Sequence, residues 1–98
     1  MARVSYTEEA LADLDRLFEF LGEEDPHAAL AAIGAIRDGV ELLDKHPLLG
    51  RRVSAPGIRE LVISRGKTGY LALYQYQPAL DVVLVVAIRH QREAGYTS

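Results

Sequence analysis

Apolar residues Ala10, Leu11, Leu14, Leu17, Phe18 and Leu21 recur at spacings of three and four, with Glu8, Glu9, Asp13, Asp15, Arg16 and Glu19 between them. That period predicts an amphipathic helix over Glu8 to Leu21. Ser5 or Thr7 stands where an N-cap belongs, and Gly22 where a C-cap is expected. Asp25-Pro26 supplies a second cap with proline at the first helical position. Ala29, Ala32, Ile33, Ile36, Val40 and Leu43 then form one stripe of a helix reaching about Lys45, stopped by His46-Pro47. The short link from Gly22 to Asp25 makes the two an antiparallel hairpin. Gly34 and the alanines beside it leave room for close helix approach, although a helical glycine costs about 1 kcal/mol relative to alanine.

The period changes on either side of the hairpin. Arg3 to Tyr6 is short and β-prone, and reads as a first strand. Leu48 to Gly57 has loop composition and carries Arg51-Arg52 as a solvated pair. Ile58 to Ser64 alternates as a strand, Ser64 to Gly69 is a turn, and Tyr70 to Gln77 alternates again with Tyr70, Ala72, Tyr74 and Tyr76 along one face toward the helices. Asp81 to Arg89 is nearly all aliphatic, which predicts a central strand covered on both faces. The order β-α-α-β-β-β predicts an α+β fold: a helix hairpin on one face of a twisted, mainly antiparallel sheet, with the first strand joining its edge. Residues 1–98 read as a single domain, with no repeat and no low-complexity segment.

Composition narrows the chemistry. With 98 residues, 49% of them apolar, the chain suits one folded domain rather than disorder. No run approaches the roughly 18 apolar residues of a membrane helix, and the start of the chain has no signal-length apolar stretch, so the expectation is a cytoplasmic protein without membrane contact. Zero cysteines exclude disulfides and thiolate metal sites; three histidines are too few for a metal centre, and no cofactor is expected. The net charge of -3 conceals an asymmetry. Residues 1–49 carry 4 basic against 11 acidic side chains, net -7, whereas residues 50–98 carry 7 against 3, net +4. The basic half suits an anionic partner, although acids solvating the helices account for the same division.

Four stretches are more specific together than apart: Ala10 to Leu14; Asp25-Pro26-His27-Ala28-Ala29; Leu43 to Arg51 running into Ile58-Arg59-Glu60-Leu61; and the Tyr70 to Tyr74 strand leading to Val86 to Arg92. In this order the chain resembles the RelE/ParE toxins of type II toxin–antitoxin systems over nearly its whole length, and the ParE branch more than the RelE branch. The resemblance implies a toxin neutralised by an acidic antitoxin that has a DNA-binding N-terminal module, the two forming an oligomer. It implies DNA gyrase as the target, with a role in plasmid stabilisation or stress response. The RelE branch implies instead a ribosome-dependent messenger RNA endoribonuclease, and a third class is an inactive binding module on the same scaffold.

The residues themselves weigh the two activities. Cutting RNA through its 2'-hydroxyl needs a base, cations for the phosphorane charge and an acid for the leaving oxygen. Arg59, Arg65, Arg89 and Arg92 would supply cations, and Tyr70, Tyr96 or His90 a proton carrier. An unperturbed tyrosine is a poor base at neutral pH, which places catalysis second. The same arginines, with Arg51 and Arg52, form the candidate surface for antitoxin or target, Arg59 and Arg89 being expected to share one cationic patch. The ordinary alternatives are a cross-strand ion pair for Arg59 and Glu60, and a backbone-bonded strand-end histidine at His90.

Overall fold

The computed structural model describes residues 2–65 and 68–91. Its elements are β1 (Arg3–Tyr6), α1 (Glu8–Gly22), α2 (Pro26–Glu41), a 3-10 turn (Leu42–Asp44), β2 (Arg51–Arg52), β3 (Arg59–Arg65), β4 (Thr68–Gln77) and β5 (Val82–His90). They build a five-stranded sheet in the order β1-β5-β4-β3-β2, with β1 parallel to β5 and the other pairings antiparallel. This is the α+β arrangement expected from the sequence.

Both helices begin on the side chains that the sequence marks. The Thr7 hydroxyl accepts from the Ala10 N–H, and the Asp25 carboxylate accepts from His27 and Ala28 N–H with Pro26 next in the chain. Each cap satisfies donors that no helical carbonyl reaches. Ala10 and Leu17 of α1, Ala32, Ile36 and Val40 of α2, and Leu43 of the 3-10 turn are buried against Leu61, Ile63, Tyr70, Ala72, Tyr74, Val83, Val85 and Ile88 of the sheet. Burial of each large aliphatic side chain contributes about 1.5–3 kcal/mol.

Several expectations are corrected. Arg51-Arg52 is exposed, as expected, but is a two-residue edge strand and not a loop, in register with Glu60 and Arg59 of β3. The second helix tightens into the 3-10 turn after Glu41 instead of running on to Lys45. Gly22 closes α1 as an ordinary helical residue, with Glu23 as a right-handed cap; the left-handed glycine among the described residues is Gly57 (φ 76°), in the turn before β3. Along β5 buried Val83 and Val85 alternate with half-buried Val82, Leu84 and Val86, so one face packs on the helices and the other is only partly covered. The close approach expected at Gly34 falls instead at Gly39: a methyl there would lie 2.8 Å from Ile63 Cγ1, whereas one at Gly34 would meet nothing within 4 Å.

That contrast gives paired expectations for urea unfolding. Gly34→Ala gains the helical preference of alanine, about 1 kcal/mol of added stability. Gly39→Ala gains the same preference but drives a methyl into a β-branched side chain with little rotamer freedom, and the overpacking cost of about 1–3 kcal/mol makes it the less stable variant.

Candidate functional site

The basic residues were expected to converge. Strand register decides whether they do, because side chains of successive residues point to opposite faces. Arg59 lies opposite Tyr74 of β4 and Arg89 opposite Leu71, three residues away, so the two arginines occupy opposite faces of the sheet. Arg52 pairs with Arg59 and shares its face, the one that carries the helices; Arg51 pairs with Glu60 and shares the other face with Arg89. The single patch joining Arg59 to Arg89 is therefore replaced by two separate groupings.

On the helical face, Tyr74 is fully buried, and its hydroxyl accepts from the Gly50 N–H and donates to the Pro47 carbonyl, both at 2.8 Å. Arg59 Nη1 donates to the Gly50 carbonyl at 2.7 Å and more weakly to that of Leu48 at 3.4 Å. The two side chains thus hold the 47–50 segment that leads into β2. A Cβ at Gly50 would fall 2.7 Å from the Tyr74 ring and 2.8 Å from the Glu60 carbonyl, which is why glycine stands there. Burial pushes the Tyr74 phenol above its ordinary range, against the opposing pull of the Gly50 N–H and of Arg59. It is a structural hydroxyl, displaced in the wrong direction for a general base at neutral pH.

On the opposite face, Glu60 is 2% exposed and receives both Nε and Nη2 of Arg51, at 2.9 and 2.8 Å. The cross-strand ion pair expected as the ordinary reading at these positions thus forms at Glu60, with Arg51 of β2, while Arg59 goes to backbone carbonyls instead. Arg89 Nη1 meets Asp13 Oδ2 of α1 at 2.5 Å, and the same oxygen accepts the Ile88 N–H at 2.9 Å. Arg16 reaches the other oxygen of Asp13 at 3.2 Å. Asp13, which reads in the sequence as one solvated acid among many, is thus the polar link between the first helix and the last strand. Partial burial opposes its ionisation, but the Ile88 N–H and the two guanidinium groups outweigh it and hold the carboxyl below its ordinary value. The His90 ring packs edge-on to buried Tyr70, centroids 5.3 Å apart, at the end of β5. Arg92, Tyr96 and the side chain of Arg65 lie outside the described residues. Among the described residues no cluster of three metal-ligating side chains occurs and no helix is long and apolar enough to cross a membrane.

A family model described as the ParE toxin of the type II toxin–antitoxin system parDE matches residues 4–95. A protein named Toxin RelE3 from Caulobacter vibrioides is 39% identical over 93 residues, covering 95% of this chain and 98% of that protein. The fold superimposes on a chain of the chromosomal ParDE system from P. aeruginosa with TM-score 0.78 at 25% identity, covering 92% of this chain and 96% of that one. A chain of the intact E. coli RelBE toxin–antitoxin complex superimposes with TM-score 0.62 at 16% identity, covering 91% and 95%, and shares the fold.

The Asp13 link has a pH signature. A carboxyl whose folded pKa is depressed contributes stability above its unfolded value and loses it as pH falls through the folded value. Asp13→Asn, which keeps an oxygen for the Ile88 N–H but removes the charge, is expected to cost about 1–3 kcal/mol at pH 7. The gap between parent and variant in denaturant titrations should hold above about pH 5 and close as pH falls below the ordinary carboxylate range.

Proposed function

Because the chain belongs to the ParE toxin family of type II toxin–antitoxin systems, we propose that it acts by binding and poisoning DNA gyrase rather than by cutting messenger RNA. The observation that carries this reading is the separation of Arg59 from Arg89. Scission at one phosphate needs cations and a proton carrier within a few ångströms of the same atoms. Here Arg59 serves two backbone carbonyls of the 47–50 segment while Arg89, from the end of β5, is committed to Asp13 of α1. The phenol nearest Arg59 is displaced away from ionisation. A toxin that works by binding needs no such convergence. Arg51, Arg52, Arg59, Arg65, Arg89 and Arg92 remain the candidate contacts with target or antitoxin, divided between the two faces as described for those with placed side chains.

The toxin is neutralised by an antitoxin, a partnership supported by neighbours solved as a ParDE system and a RelBE toxin–antitoxin complex; in this reading the antitoxin is acidic with a DNA-binding module, and the toxin works in the cytoplasm, where its target resides. The names RelE3 and RelE2 borne by relatives favour the second reading, a ribosome-dependent endoribonuclease. Purified protein is added to gyrase with supercoiled DNA and, separately, to translating ribosomes. The expected outcome is trapped, cleaved DNA in the first and intact transcripts in the second. Transcript cuts at codon boundaries with gyrase unaffected would overturn the proposal, and inertness in both would mark an inactive binding module.

A further inference from the structure

Ser54 is exposed at the tip of the hairpin that joins β2 to β3. The Val53 N–H donates to the Ile58 carbonyl there, and the Ile58 N–H to the Ala55 carbonyl. Pro56 followed by left-handed Gly57 (φ 76°) is the pair that a type II turn demands, so the tip is shaped without help from the serine. A serine beside a turn often returns its hydroxyl to the backbone. The Ser54 hydroxyl makes no hydrogen bond among the described residues. What precedes it is more specific. Arg51 and Arg52 stand three and two residues earlier, on the short strand at the sheet edge, and both are exposed, Arg51 even while paired with Glu60. Arginines at fixed steps before a hydroxyl form a charge pattern by which a serine kinase with an acidic substrate groove selects its target.

The surroundings of the tip suit the product. A cleft of about 440 Å³ adjoins it, lined among others by Arg52, Ala55, Pro56 and Arg59. Arg52 and Arg59 stand opposite one another across β2 and β3, a like-charge pairing that destabilises a sheet, and no carboxylate among the described residues lines the cleft to relieve it. Arg59 commits Nη1 to the Gly50 and Leu48 carbonyls, which immobilises the guanidinium and leaves Nε and Nη2 to another acceptor.

We propose that Ser54 is a phosphorylation site whose phosphate is captured by Arg52 and Arg59. A serine kinase directed by basic residues performs the transfer. Ser54 Oγ attacks the γ-phosphorus of ATP as the bond from that phosphorus to the β–γ bridging oxygen breaks; ADP leaves with the electron pair, and the hydroxyl proton passes to the kinase's catalytic carboxylate. The product carries a charge of about -1.5 to -2 at pH 7 and three acceptor oxygens, enough to bridge both guanidinium groups and relieve their repulsion. Two arginines of the candidate contact surface thereby become partners of the chain's own phosphate, which switches off the charge of this face. The proposal goes beyond the gyrase reading and stands whichever enzyme the chain poisons.

The test has two arms. In the first, the purified full chain is incubated with ATP and the catalytic subunit of a cyclic-AMP-dependent kinase, a probe that reads paired arginines before a serine. A single added phosphate is expected by intact mass, placed at Ser54 by fragmentation, absent from Ser54→Ala and incorporated about tenfold or more slowly in Arg52→Gln. In the second, phosphoserine is inserted at position 54 during translation and its titration is followed by phosphorus NMR. Two guanidinium groups favour the dianion, so the midpoint should fall about half a pH unit or more below that of acetyl-Val-phosphoserine-Ala-Pro-amide and return toward it in Arg52→Gln. Labelling at other residues in place of Ser54, labelling of Ser54 only in the heat-unfolded chain, or a midpoint equal to that of the peptide would each overturn the proposal.

Discussion

The basic end of the molecule depends on one phenolic hydroxyl. Tyr74 reaches from the middle of β4 to accept from Gly50 and donate to Pro47, so a side chain with no exposed surface fixes the path of a segment that has little regular structure of its own. An unsatisfied buried N–H at Gly50 would cost about 1–3 kcal/mol, and the ring has no room for any residue but glycine opposite it. Arg59 adds charge-assisted bonds to the same segment. Because that segment delivers the chain into β2, the placement of Arg51 on one face and Arg52 on the other follows from where Tyr74 holds Gly50.

The charges are sorted by what each must neutralise. Glu60 is buried on the partly covered face and Arg51 answers it; removing one member of such a pair strands the other in a poor solvent for ions. Asp13 serves the helix–strand junction, and Arg16 and Arg89 answer it. Of the placed arginines of the basic half, Arg52 and Arg59 answer no acid among the described residues; they face one another across β2 and β3, Arg59 being held by backbone carbonyls. The net +4 of residues 50–98 is thus a poor guide to available charge. Two of the seven basic side chains, Arg51 and Arg89, are spent on Glu60 and on Asp13, the latter supplied by the acidic half.

The sequence disclosed what periodicity and capping chemistry can encode. The helices start where Thr7 and Asp25 cap them, and the face alternation of Tyr70, Ala72 and Tyr74 matches their burial. What it hid was every feature set by long-range pairing. A two-residue strand of Arg51-Arg52 has no apolar pattern to announce it, since its only structural reason is the edge of β3. Asp13 has the same neighbours in sequence as any solvated helical acid, and its role depends on a strand 75 residues later. Gly34 and Gly39 are alike as letters, and only the crossing of α2 over Ile63 tells them apart. The candidate site shared this limit, because whether two arginines meet is a question of register parity that the turn lengths did not determine.

Beyond Tyr6, β1 no longer accompanies β5, and the backbone of the central strand would there be bare. It is not. The Thr7 hydroxyl donates to the Val86 carbonyl at 3.4 Å, Asp13 takes the Ile88 N–H, and Arg89 returns to the Ile88 carbonyl at 3.0 Å. These three side chains occupy in turn the positions that an incoming chain would use to extend the ladder, and exposed ladders of this kind are where sheets stick to one another. The molecule is in effect stoppered along this stretch by side chains of its own, so any strand donated from outside is steered to the far flank of β1 or to the short rim at β2.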